Sequence, residues 1–266
     1  MIPLFSLLTF LTGLPLAAAA ELQVRLIDVP DAARQMLAAQ RPDVSWGGDG
    51  EPGLALAWTA DAQRRSLQQH PGLPVIALAQ RGPPGHARPQ DAWLIWAPAL
   101  TQQVQLMRRL DPRLQRVGLV TRNMPQSEVD QLRRDHPDLE LRLLPVHVSP
   151  DPHELSEFAA GVDMLLADND DTLFNRDTAK YLLLSAYRRQ RAWVGPTPEF
   201  VQAGAVATWS LSRQALIQAI VDQVDHWQRH RRLAGNRQLA ADQLVVNAQV
   251  ARALYLQVPA EGRRVP

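Results

Sequence analysis

Asp168-Asn169-Asp170-Asp171-Thr172 is a run of acids, an amide and a hydroxyl. It follows the apolar stretch Val162–Ala167 and precedes the amphipathic stretch Asp177–Arg189. A strand that ends in such a turn and opens a helix brings polar side chains beside unpaired backbone N–H groups. Open α/β sheets bind small ligands there, outside the carboxyl ends of their strands. Calcium fits poorly. An EF-hand loop counted from Asp168 needs Gly at its sixth position and Glu at its twelfth, and this chain has Leu173 and Ala179. Helix capping is the ordinary role of such residues. Asp170 and Thr172 are candidates to face a ligand as well. A second place of this kind follows the run Leu54–Trp58, where Thr59 stands as N-cap of the helical Ala60–Gln69. Trp58 beside it offers a flat apolar surface for stacking, with Thr59 as its polar neighbour.

Other spacings reduce to simpler readings. Gly48-Asp49-Gly50-Glu51-Pro52-Gly53 matches G-x-G-x-x-G, but it precedes a strand, contains Pro and carries two acids that repel a pyrophosphate. It reads as a surface loop. His226 and His230 share a helix face, yet Arg229, Arg231 and Arg232 crowd them with positive charge, so solvated surface is expected. The chain has no G-x-S-x-G, no H-E-x-x-H and no nucleophile–base pair that can be nominated. Neither an enzyme, a metal site nor a cofactor is expected. Trp58, Trp93, Trp96, Trp193 and Trp209 fall at or near strand ends, where core packing is the default.

The elements that position these residues alternate. Strands are expected at Leu22–Ile27, Leu54–Trp58, Leu73–Ala79, Ala92–Trp96, Arg116–Val120, Leu139–Pro145, Val162–Ala167 and Ala192–Gly195. Helices fall between them, at Ala32–Gln40, Ala60–Gln69, Thr101–Leu110, Ser127–His136, Ser149–Ala160, Asp177–Arg189 and Pro198–Ala203. Strand–helix alternation means βαβ units, parallel sheets and an α/β class. Ser212–Arg231 reads as a long amphipathic helix and Ala240–Leu256 as a final one. Gly82-Pro83-Pro84-Gly85 marks a lobe boundary.

The chain has 266 residues, 46% of them hydrophobic, enough for one large core or two lobes. Its net charge is +1, so no global field draws it to nucleic acid or anionic lipid. It has no cysteine, which removes disulfides, thiolate chemistry and any lipidated anchor. Residues 1–20 read as a signal peptide, with an apolar core at Leu4–Leu16 and Ala17–Ala20 before Glu21. Export and cleavage leave no inserted segment.

Four ordered motifs between Arg116 and Pro259 carry a family likeness. They are Arg116-Val117-Gly118-Leu119-Val120, and Val162-Asp163 leading to Asp170-Asp171-Thr172. Next come Val194-Gly195 with Gln202-Ala203-Gly204-Ala205-Val206-Ala207, and last Val246 to Pro259 in the pattern V-N-x-x-x-A-x-A-L-x-L-x-V-P. In these the chain resembles the substrate-binding components of ABC importers with the type-1 periplasmic-binding fold. The resemblance implies two Rossmann-like lobes of parallel sheet flanked by helices, with a small-molecule ligand held in the cleft between them. It implies a signal peptide at 1–20, a first lobe at 21–90 joined by the returning helix 211–232, and a second lobe at 91–210 joined by the segment 240–259.

Carried across residue by residue, Asp170 and Thr172 match the second lobe's ligand-facing turn. Thr121, Arg122 and Asn123 occupy a loop where the family usually has Tyr-Asn, and Arg122 becomes the partner for a ligand carboxylate. Thr59-Ala60-Asp61-Ala62 matches the first lobe's T-x-A-A turn in part. The expected ligand-binding set is therefore Trp58, Thr59, Arg122, Asn123, Asp170 and Thr172, in a periplasmic monomer that works with a membrane permease or receptor.

The departures lie in lobe one, which lacks about fifty residues of the usual length. There Asp28-Val29-Pro30 and the acidic loop Pro42–Gly53 replace family features. They favour an alternative, a degenerate binding module that docks on a membrane receptor without its own ligand.

Overall fold

The computed structural model describes residues 22–82, 87–122, 124–146, 151–170 and 173–265. The signal segment, the Pro83–Gly85 break, Asn123, the Ser149 helix start, Asp171 and Thr172 lie outside the described residues.

The chain runs β1 (Leu22–Ile27), α1 (Asp31–Gln40), β2 (Val44–Trp46), β3 (Leu54–Ala57), α2 (Ala60–Gln69), β4 (Val75–Ala79) and β5 (Ala92–Ile95). It continues through α3 (Leu100–Leu110), β6 (Arg116–Thr121), α4 (Gln126–Asp135), β7 (Glu140–Pro145), α5 (Pro152–Ala160), β8 (Met164–Ala167), α6 (Arg176–Tyr187), β9 (Ala192–Val194) and α7 (Pro198–Gln202). The last elements are β10 (Ala207–Ser210), α8 (Arg213–His230), β11 (Arg237–Gln238), β12 (Gln243–Asn247), α9 (Ala248–Ala253) and β13 (Arg263–Val265). The strands form two sheets, β11-β5-β4-β3-β1-β2 and β13-β12-β10-β9-β8-β6-β7. Among the described residues every pairing is parallel except β10 with β12.

In the first sheet, side-chain size decides how close each helix comes. Leu54 and Leu56 of β3 face α1 and α8, packing with Leu37, Ile217, Ile220 and Val224. Ala55 and Ala57 point to the other face with Ala62 and Ala77, and these small residues leave room for Trp93. On that second face β1 shows half-buried Gln23 and Arg25, which explains the alternation of Leu22–Ile27. The link from β2 to β3 is a loop there, and its Gly48 sits so close that an added Cβ would lie 2.5 Å from Ser45 Oγ. Close approach to the sheet, with no phosphate involved, accounts for the glycines.

The second sheet is covered on both faces. α5, α6 and α7 pack one side around Leu165, Trp193 and Phe200, and α3, α4 and α9 pack the other around Leu119, Leu166 and Val194. The chain crosses between sheets after β5, after β10 and after β11, and side chains bind the crossings to one another. Gln238 Nε2 donates to Ala97 O at 2.7 Å, and the Ser212 N–H and hydroxyl both donate to the Asp242 carboxylate at 2.6 Å.

Two expectations are corrected. The expected second lobe, 91–210, includes the strand at Ala92. It pairs with β4, Ile76 opposite Ala92 through Ala79 opposite Ile95, so the first crossing follows Ile95 and the Gly-Pro run joins two strands of one sheet. The expected helix Ala240–Leu256 divides into β12 and the short α9. Leu244, Val245 and Val246 are all buried, as a strand covered on both faces requires, and a short apolar run does not by itself tell helix from strand. β2, β10, β11 and β13 were not expected.

Asp163, just before β8, receives hydrogen bonds from the Arg116 side chain at 2.8 Å and from the N–H groups of Arg116 and Gln115 at 2.8 and 3.0 Å. Burial alone would raise its pKa, but these donors prevail and hold it below the ordinary carboxylate value. A lowered folded-state pKa means stability present above the unfolded value, about 3.9, and lost as pH falls through the folded one. Asp163→Asn is expected to cost about 1–2 kcal/mol at pH 7. Urea unfolding at pH 7 and pH 3 checks this, and the gap between variant and wild type should close at the lower pH.

Candidate functional site

The carboxyl ends of the two sheets face one another. On the first sheet, β3 delivers Trp58 and Thr59, β4 delivers Gln80 and Arg81, and β5 delivers Trp96. Trp58, Thr59, Asp61, Arg81, Trp96 and Leu216 line a cavity of about 780 Å³. The Thr59 hydroxyl accepts from Ala62 N at 3.0 Å, so it caps α2 while standing at the cavity wall. Trp93 reaches the cavity floor from the core and is fully buried. A second cavity of about 290 Å³ runs from Arg81 past Pro98 and Asn169 to Glu128 and Asp135 on α4.

On the second sheet, β8 ends in Asp168, whose side chain is 0% exposed. Its Oδ1 accepts from Asp170 N at 3.0 Å, and Asp170 O in turn accepts from Leu173 and Phe174 N at 3.1 and 2.8 Å. Burial pushes the Asp168 carboxyl above its usual pKa. The Thr121 hydroxyl and the Arg81 guanidinium only partly oppose this, and Asp170 adds to it. Arg81 Nη2 lies 2.6 Å from Asp168 Oδ2, an ion pair that joins the two sheets. Asn169 Nδ2 donates to Pro98 O at 3.1 Å beside it. Arg122 and Asp170 stand 4.0 Å apart.

No known protein-family model matches the chain, and no curated protein matches it. Solved structures do. One is a substrate-binding protein with adhesive properties from Clostridium difficile, in its ligand-free, open form. It superposes with a TM-score of 0.68 at 11% identity, covering 91% of this chain and 97% of that one. A conserved domain protein from Vibrio cholerae gives 0.65 at 15% identity, covering 92% and 99%. An ABC domain in complex with L-Trp from Streptococcus pneumonia gives 0.59 at 14% identity, covering 92% and 99%. This chain has the type-1 periplasmic-binding fold.

Within that fold the expected site residues divide. Trp58 and Thr59 come together at the larger cavity. Arg122 and Asp170 come together on the second sheet, outside the lining of that cavity. Asn123 and Thr172 lie outside the described residues. Sequence reasoning missed Arg81, Asp168 as the buried partner, and Trp96 as a cavity wall. A signal for Arg81 existed, because it follows the apolar run Leu73–Ala79 at a strand's carboxyl end, where this fold gathers its contacts. Nothing in the sequence pairs it with Asp168.

The remaining motifs keep their simpler readings. The His226 and His230 ring centroids lie 4.4 Å apart with the rings tilted by 46°, and desolvation and then the charges of His230, Arg232 and Arg229 lower the His226 pKa. Trp93 and Trp193 are core residues.

Proposed function

We propose that this chain is a solute-binding protein of an ABC-type uptake system, a non-enzyme that takes a small polar, amino-acid-like or other organic ligand between its lobes. The observation that carries this reading is the 780 Å³ cavity at the carboxyl edge of the first sheet, walled by Trp58 and Trp96 and bordered by Arg81, which pairs with Asp168 of the second sheet. Its size and its mix of aromatic walls with a few polar groups suit a small organic molecule. Two structural neighbours, one a substrate-binding protein and one a complex with L-Trp, support a binding role. Export by the segment 1–20 and work in the periplasm as a monomer with a membrane permease belong to the same proposal.

A second reading, a docking module without ligand, is favoured by the Arg81–Asp168 pair, which sets a protein charge between the sheets.

A thermal-shift screen with amino acids, nucleosides and short organic acids tests the first reading. A ligand at a hundred times its Kd adds about 2.7 kcal/mol of stability, and Trp58→Ala should lose the response. Silence across the whole screen would sink it.

A further inference from the structure

Among the described residues, Asp168 and Arg81 form an ion pair through which the two sheets meet. The carboxylate is wholly buried at the end of β8, and Arg81, 27% exposed, comes from the end of β4 in the other sheet. A buried carboxylate without a cation is costly, so Asp168 demands a positive partner whether or not a solute is present. Beside it the Asp170 N–H donates to the other carboxylate oxygen, Oδ1, at 3.0 Å, and this completes a polar socket. Arg81 also borders both cavities, so it stands between the space for a solute and the socket. Asn169, next to Asp168, adds a second tie to Pro98 on the first crossing.

We propose that Arg81 is a tethered occupant of a cation socket at Asp168, latching the lobes before any solute arrives, and that a solute bearing an ammonium or guanidinium group competes with it for that carboxylate. An anionic solute at this point meets Asp168 and Asp170 and is disfavoured. The role given to the solute rests on the capture reading above. The latch itself does not, because it is measured with no solute present.

Small-angle scattering of the full mature chain reads the latch. Wild type is expected to be compact, and Arg81→Ala and the isosteric Asp168→Asn to show a larger radius of gyration. Methylguanidinium, which fits the vacated socket, should then raise the melting temperature of Arg81→Ala and return its scattering toward wild type. It should do neither for Arg81→Ala/Asp168→Asn. If Arg81→Ala fails to fold by circular dichroism, Asp168→Asn decides alone, and unchanged scattering for it overturns the latch. Unchanged scattering for a folded Arg81→Ala, or an equal methylguanidinium response in the double variant, overturns it too. A silent ligand screen with these results intact would fail the capture reading and leave the latch standing.

Discussion

Trp193→Ala is expected to lower the unfolding free energy by about 3–5 kcal/mol. Trp193 is 1% exposed, and its indole N–H donates to Leu182 O at 3.2 Å. Its ring meets Phe174 edge-on at 5.7 Å and Phe200 at 6.2 Å, and the two phenylalanines meet each other at 5.7 Å. Edge-to-face pairs add about 0.5–1.5 kcal/mol beyond buried area. Because the Phe174 N–H donates to Asp170 O at 2.8 Å, the cavity left by Trp193 undermines the polar edge of the second lobe as well as its core. Guanidinium unfolding measures the loss. Trp193→Phe should cost clearly less, and a loss below about 1 kcal/mol for alanine would contradict this packing account.

Asp91→Ala should approach the same size for a different reason, about 3–5 kcal/mol from breaking a buried ion pair. The Asp91 side chain is 0% exposed. One oxygen accepts from Val75 N at 3.0 Å and Arg88 Nη2 at 2.7 Å. The other accepts from Gln63 Nε2 at 3.2 Å and Arg88 Nε at 3.0 Å. Arg88 also donates to Leu73 O at 2.7 Å and to Pro71 O. No helix joins β4 to β5 in the described residues, so this network pins residues 87–91 against the sheet and α2. Alanine would strand the Val75 N–H, the Gln63 amide and the Arg88 guanidinium together. Urea unfolding is the check. Asp91→Asn, which keeps one acceptor oxygen, should lose less, and equal losses for the two variants would mean that the carboxylate's charge and second oxygen contribute nothing.

Local chemistry was readable along the chain wherever neighbours in sequence decide the outcome. Thr59 caps α2 as its position before Ala60–Gln69 implies, and α8 runs Arg213–His230 where the amphipathic pattern lies. The alternation of Leu22–Ile27 follows from a sheet face covered by a loop. Reading failed where a segment could satisfy its burial in more than one way. Leu244–Val246 suits a helix or a strand until β10 and β13 pair with it on both sides. The strand at Ala92 could join either sheet, and its edge contact with β4 chose the first.

By its own order of residues the chain determined an α/β architecture of strand–helix units, with polar turns at the strands' carboxyl ends and Trp58 and Thr59 at one of them. Tertiary structure alone decided that Arg81 meets Asp168. That contact joins two sheets through three crossings, and the pull of a buried carboxylate on a cation acts through space, with no trace in the spacing of residues.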